Sequence, residues 1–191
     1  MNLVIGLLIL LFAIAVIEIG DFKLVPFLLG ILGITLISQF ILEGAGFEIV
    51  PLAIFSILFV PAILLFFTLK TKRTEERPII LGLPSLGLLI VLVAVTYGIS
   101  AFVFSMEGIQ WQLVLIGAYG LLIKTDLRKS VASLSIIINS LHLFGVSFDV
   151  FMEIALTSLS AVLLLILILF AMKIYSVKGS MSTRDLKELR F

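Results

Sequence analysis

The sequence predicts an all-α polytopic membrane protein of about seven transmembrane helices, with its N-terminus outside and its C-terminus cytoplasmic. Three observations lead there. The chain has 191 residues, of which 62% are hydrophobic and 13% charged. A soluble domain needs about 25% charged residues to cover its surface, so the whole chain belongs in lipid. About seven apolar runs follow one another, each long enough or nearly so for a bilayer core of ~30 Å. Finally, the cations fall at Lys23, at Lys70–Arg77, at Lys124–Lys129 and in the tail from Lys173 to Arg190. These places follow the first, third, fifth and seventh runs, so parity puts them on one face. The other face carries acids: Glu43, Glu48, Glu107, Asp149 and Glu153. The positive-inside rule makes the basic face cytoplasmic. One span more or fewer would scatter the cations over both faces.

The spans run over 2–17, 24–42, 48–69, 79–104, 109–123, 131–149 and 152–172. Residues Met1 to Ile17 lack a basic leader and a small-residue cleavage site, and Glu18 and Asp21 follow directly. They read as a retained first span rather than a signal peptide. Each span must be helical, because a lone backbone crossing lipid has to satisfy its own hydrogen bonds. Gly30 and Gly33 in the second span, and Gly117 and Gly120 in the fifth, permit close helix packing. Pro61 falls inside the third span and reads as a packing kink. The polar stretch Lys70–Pro78 separates three spans from four, and Pro78 suits a helix start. No internal repeat is evident.

Ionisable and polar groups inside a membrane are the usual site candidates. The sixth span carries Ser135, Asn139 and His142 at i, i+4 and i+7, on one helical face. The seventh carries Glu153, Thr157 and Ser160 at the same spacing. A histidine exchanges protons near neutral pH, so Ser135, Asn139 and His142 are candidates for a polar proton path. Their plainer role is hydrogen bonding to a neighbouring helix. Glu153 is expected at the outer interface and Glu18 at the inner one. No span holds a clear mid-membrane carboxylate or lysine. Phosphate-loop and nucleophile–base patterns are missing, and the absence of Cys with only one His excludes a thiolate or multi-imidazole metal site within the chain. Chemistry by this chain alone, and nucleic-acid binding, are not expected.

From about Leu113 onward the run LIGAYGLLIKTDLRKSVASLSIIINSLHLFGVS resembles the first two helices of the K-type subunit of complex I and its relatives, including the C subunit of Mrp antiporters. In that family a short basic loop joins two helices, and the second carries an Asn. Lys124–Lys129 matches the loop and Asn139 the Asn. The tail AMKIYSVKGSMSTRDLKELR resembles the end of the E-type membrane subunit of hydrogenase-4 and formate hydrogenlyase complexes, through Lys173-Ile174-Tyr175, Gly179 and Ser180-Met181-Ser182. His142 after Asn139 fits the E-type pattern too. The resemblance covers about 80 residues. It divides the chain into an N-terminal three-helix segment (1–78), a fourth helix (79–108) and a K-like three-helix unit with a cytoplasmic tail (109–191). The family's two acids in the second and third helices of this unit are Ser135 and Leu163 here, and the E-type acid before the Asn is Ile138, so those roles do not transfer.

The resemblance implies a non-catalytic plasma-membrane subunit of a complex I-like, energy-converting hydrogenase or formate hydrogenlyase assembly. It would couple electron transfer in its partners to proton or sodium translocation. Those partners would be antiporter-like and quinone- or hydrogenase-side subunits, and they would hold the iron–sulfur clusters and any nickel–iron centre. This chain would hold no cofactor. Lys124, Arg128 and Lys129, and Arg184, Lys187 and Arg190 in the tail, are expected to contact a partner or anionic lipid headgroups. The rival readings are a stand-alone transporter of a small solute and a pure scaffold.

Overall fold

In the computed structural model, residues 3–71, 83–99, 109–144, 150–179 and 182 are described. They form seven helical stretches in chain order: α1 (Leu3–Glu18), α2 (Val25–Leu42), α3 (Val50–Lys70), α4 (Leu83–Ile99), α5 (Ile109–Ile123), α6 (Leu127–Phe144) and α7 (Val150–Lys178). The expected all-helical fold is observed, and each helix overlaps one expected span. Three helices, Val25–Leu42, Val50–Lys70 and Val150–Val177, are long and apolar enough to cross a membrane. The described parts of α1, α4 and α5 are shorter apolar helices.

Most of these helices are apolar on every side. In α1, Ile9, Ala13, Val16 and Ile17 are buried while Val4, Leu7 and Leu11 face outward. Such all-round hydrophobicity marks a helix that meets protein on one face and lipid on the other. The departure is α6, which alternates apolar residues with Ser133, Ser135, Asn139, Ser140 and His142, all buried. It lies at the centre and packs against α1, α2, α3, α5 and α7. Polar groups are cheaper there than against hydrocarbon, because neighbouring helices can hydrogen-bond to them.

Close packing around α6 depends on small residues. A Cβ on Gly117 of α5 would sit 2.7 Å from the Ser133 carbonyl oxygen and 2.5 Å from Ile137 Cγ1, and one on Gly120 would collide with the Ser133 side chain. On α2, a Cβ on Gly33 would lie 2.8 Å from the Ser56 carbonyl oxygen of α3. The expectation that these glycines permit close approach therefore holds at Gly33, Gly117 and Gly120. Pro61 acts where expected as well. Just before it, residues Ile54–Phe59 adopt wider, π-type turns. Proline cannot donate the regular helical bond, and its ring crowds the carbonyl four residues back; the wider turn relieves both problems.

Two boundaries differ from expectation. The sixth helix starts at Leu127 rather than 131, because Asp126 caps it: Arg128 N donates to Asp126 Oδ1 at 2.8 Å. The seventh continues past 172 to Lys178 and ends where Gly179 takes φ +68°, a conformation that favours glycine. Beyond it, Ser182 forms an antiparallel bridge with Asp126, which brings the start of the tail onto the α5–α6 junction.

Candidate functional site

The polar face of α6 meets two partners near its C-terminal end. His142 Nδ1 lies 2.5 Å from Glu153 Oε1 in the first turn of α7. The two residues are 1% and 6% exposed. The hydrogen bond can be written two ways: an imidazole N–H donating to a carboxylate, or a carboxyl O–H donating to a bare Nδ1. These states differ only in where one proton sits. The other ring nitrogen, Nε2, is buried and has no hydrogen-bond partner. The ring also lies 6.4 Å, centroid to centroid, from Phe55 of α3.

About one turn back along α6, Asn139 Oδ1 accepts a hydrogen bond from Ser56 Oγ at 2.8 Å. Ser56 lies within the widened turn of α3, and Gly33 leaves room for that backbone to approach α2. One turn onward from Glu153, Thr157 Oγ1 is buried and unpartnered. Three helices thus converge on a small polar region with an acid, an imidazole, an amide and two hydroxyls. It can hold a proton, share it across one hydrogen bond, and present Nε2 for its onward transfer.

Of the expected path residues, Asn139 and His142 enter this region through their partners. Ser135 is fully buried, but its hydroxyl donates to the Val131 carbonyl of its own helix at 2.9 Å. Glu153, expected near the outer interface, is buried and paired within the protein. The reason is His142, which gives the carboxyl a hydrogen-bonding partner inside the protein.

The basic junction requires a larger correction. Lys124, Arg128 and Lys129 were expected to face a partner or lipid headgroups, yet they are 5%, 1% and 0% exposed. Each cation has internal partners. Lys124 Nζ lies 2.9 Å from Glu18 Oε2 of α1. Arg128 grips the Asp126 carboxylate through Nε at 2.9 Å and Nη2 at 2.6 Å, and its guanidinium stacks 3.8 Å from the centre of the Phe22 ring. Lys129 Nζ donates to the carbonyls of Val16, Ile17 and Ile19 at 2.6, 3.0 and 2.6 Å. These carbonyls sit at the C-terminal end of α1, where a helix lacks internal donors and its dipole favours a cation. Arg184, Lys187 and Arg190 lie outside the described residues, as do Glu107 and Asp149.

Sequence reasoning missed Ser56, the His142–Glu153 contact and the Glu18–Lys124 pair. Ser56 had one visible sign, being the only hydroxyl between Val50 and Thr68 in an apolar run. Among the described residues no group of three or more His, Cys, Asp or Glu side chains is arranged to hold a metal ion. Comparison with protein-family models, curated proteins and solved structures finds no match to this chain.

Proposed function

We propose that this chain is a multi-pass plasma-membrane subunit of a complex I-like assembly, of the energy-converting hydrogenase or formate hydrogenlyase type. In this reading it catalyses no redox reaction. It supplies part of a proton path beside antiporter-like partners, and the iron–sulfur chemistry lies in subunits nearer the redox arm. The resemblance of the segment after Leu113 and of the tail supports the class of assembly. The observation that carries the proton role is the buried pair of His142 Nδ1 and Glu153 Oε1 at 2.5 Å. A buried acid joined to a buried base is the minimum equipment for moving a proton through an apolar interior. A scaffold has no need of it, since an apolar contact of similar volume is often as stable as a buried ion pair.

In this account His142 and Glu153 share the proton, Nε2 passes it on, and Asn139 with Ser56 holds α6 against α3 in the register that the pair needs. With the N-terminus outside, the pair lies toward the outer face, and the Lys124–Lys129 junction lies at the cytoplasmic end.

The assembly is tested by mild-detergent purification of the tagged chain from native membranes, with mass spectrometry of the proteins retained. Antiporter-like and iron–sulfur subunits are expected to co-purify. A chain recovered alone or as a homo-oligomer would refute the reading and favour a stand-alone transporter.

A further inference from the structure

A second paired acid, half-buried, lies at the other end of α6. From Lys129 to His142 the helix rises about 20 Å at ~1.5 Å per residue, so this acid is remote from Glu153. It is Glu18, the last residue of α1. Its Oε2 accepts from Lys124 Nζ at 2.9 Å, and its Oε1 accepts from Ser85 Oγ of α4 at 2.9 Å. Ser85 Oγ also lies 2.7 Å from Tyr119 OH of α5 and 3.4 Å from Lys124 Nζ. Ser85 has one hydrogen. When it gives that hydrogen to Glu18, its oxygen can accept from Lys124 and from Tyr119, whose single hydrogen is shared between Ser85 Oγ and the Ser85 carbonyl oxygen at 3.0 Å. The bonds then run in one direction, Tyr119 to Ser85 to Glu18, and end on a carboxylate. The side chain of Lys124 is 4% exposed and that of Glu18 is 15% exposed, so part of the Glu18 side chain lies at the surface.

We infer that Glu18 is a second proton-binding residue, which takes up protons from water at the basic end of the bundle, and that its site admits a proton but not a sodium ion. The inference rests on the proton-path reading above and names the ion. A proton arriving at Oε1 converts the carboxylate to an acid. That O–H then donates to Ser85 Oγ, and Ser85 turns its own hydrogen toward Tyr119, so the chain reverses with no other proton gained or lost. A sodium ion needs several oxygens around it, yet the Lys124 ammonium already lies against the carboxylate where a cation would sit. The neighbouring groups reinforce the point. Ser85 and Lys124 bond to Glu18, Tyr119 bonds to Ser85, and Lys129 donates to the carbonyls of α1. No charged residue occurs in α2, and Asp21 and Lys23 lie on the exposed turn that follows α1.

Dicyclohexylcarbodiimide labelling of the assembled complex tests this. The reagent adds the O–H of a protonated carboxyl across a C=N bond, and the product rearranges to a stable N-acylurea that peptide mass spectrometry locates. Glu18 is expected to be labelled, with equal yield in sodium and potassium chloride. Lys124→Met should raise the adduct several-fold at fixed pH. No adduct at any pH would make the pair a fixed structural bridge and overturn the inference. Protection by sodium alone, or unchanged labelling in Lys124→Met, would overturn it as well. Labelling does not depend on turnover, so the two failures separate. An unlabelled Glu18 removes only this inference, whereas proton translocation unaffected by His142→Ala removes the path reading and this inference with it.

Discussion

Lys129→Met removes one ammonium while keeping most of the volume of the side chain. In the native protein that ammonium directs its three N–H groups at the carbonyls of Val16, Ile17 and Ile19, at 2.6, 3.0 and 2.6 Å. A charged hydrogen bond contributes about 1.5–3 kcal/mol, and a buried acceptor left without a donor costs about 1–3 kcal/mol. Three such bonds do not add fully, because the free carbonyls can relax and α1 can fray. The helix-end charge adds up to ~2 kcal/mol in a buried setting. Desolvation of the native ammonium, which is 0% exposed, subtracts several kcal/mol from the gross sum. The net loss expected on breaking the arrangement is about 3–5 kcal/mol, the range for removing one partner of a buried ionic contact. For a chain of this size that corresponds to a drop of roughly 10 °C in melting temperature. Thermal unfolding of the detergent-purified complex, read by loss of α1 from the bundle through a labelled N-terminal site, measures it. A Lys129→Met variant that melts within about 1 °C of the parent would refute the claim that Lys129 anchors α1.

Other outcomes follow from the same contacts. Gly117→Ala places a Cβ 2.7 Å from the Ser133 carbonyl oxygen, so α5 and α6 must separate; a cost of about 1–3 kcal/mol is expected from thermal melts. Ser56→Ala leaves Asn139 Oδ1 without its 2.8 Å donor and should cost about 1–3 kcal/mol. Asn139→Leu combined with Ser56→Ala should recover part of that loss, and a double-mutant cycle with no coupling would contradict the pairing. Arg128→Lys keeps the charge but loses the two-pronged grip on Asp126 and the stacking on Phe22. It should melt below the parent, and equal melting would show that charge alone suffices.

The helical architecture was legible because uninterrupted apolar runs near bilayer length leave the backbone no alternative but helix. The polar face of α6 was legible for a similarly local reason: Ser135, Asn139 and His142 repeat at helical spacing. Their partners were not. Ser56 is 83 residues from Asn139, and Glu18 is 106 from Lys124; periodicity says which face a residue occupies, not which helix arrives there. Lys124–Lys129 was misread because a short cationic connection normally stays in water. Here the C-terminal carbonyls of α1, the Glu18 carboxylate and the Asp126 cap supply enough partners to bury all three cations. Asp126 was the overlooked local sign, an N-cap residue that starts α6 before the cations rather than after them. The pairing of Glu153 was not legible either, because His142 reaches it from another helix.

The central claim is that His142 and Glu153 carry protons through this chain. Membrane vesicles containing the assembled complex allow its direct measurement, as protons translocated per electron transferred, in His142→Ala and Glu153→Gln variants, with retained subunits quantified in the same vesicles. Both variants are expected to assemble, and the ratio is expected to fall about tenfold or more, since a positioned acid or base is worth ~10²–10⁴ in proton-transfer rate. An unchanged ratio in fully assembled complexes would contradict it and leave the pair as a structural contact.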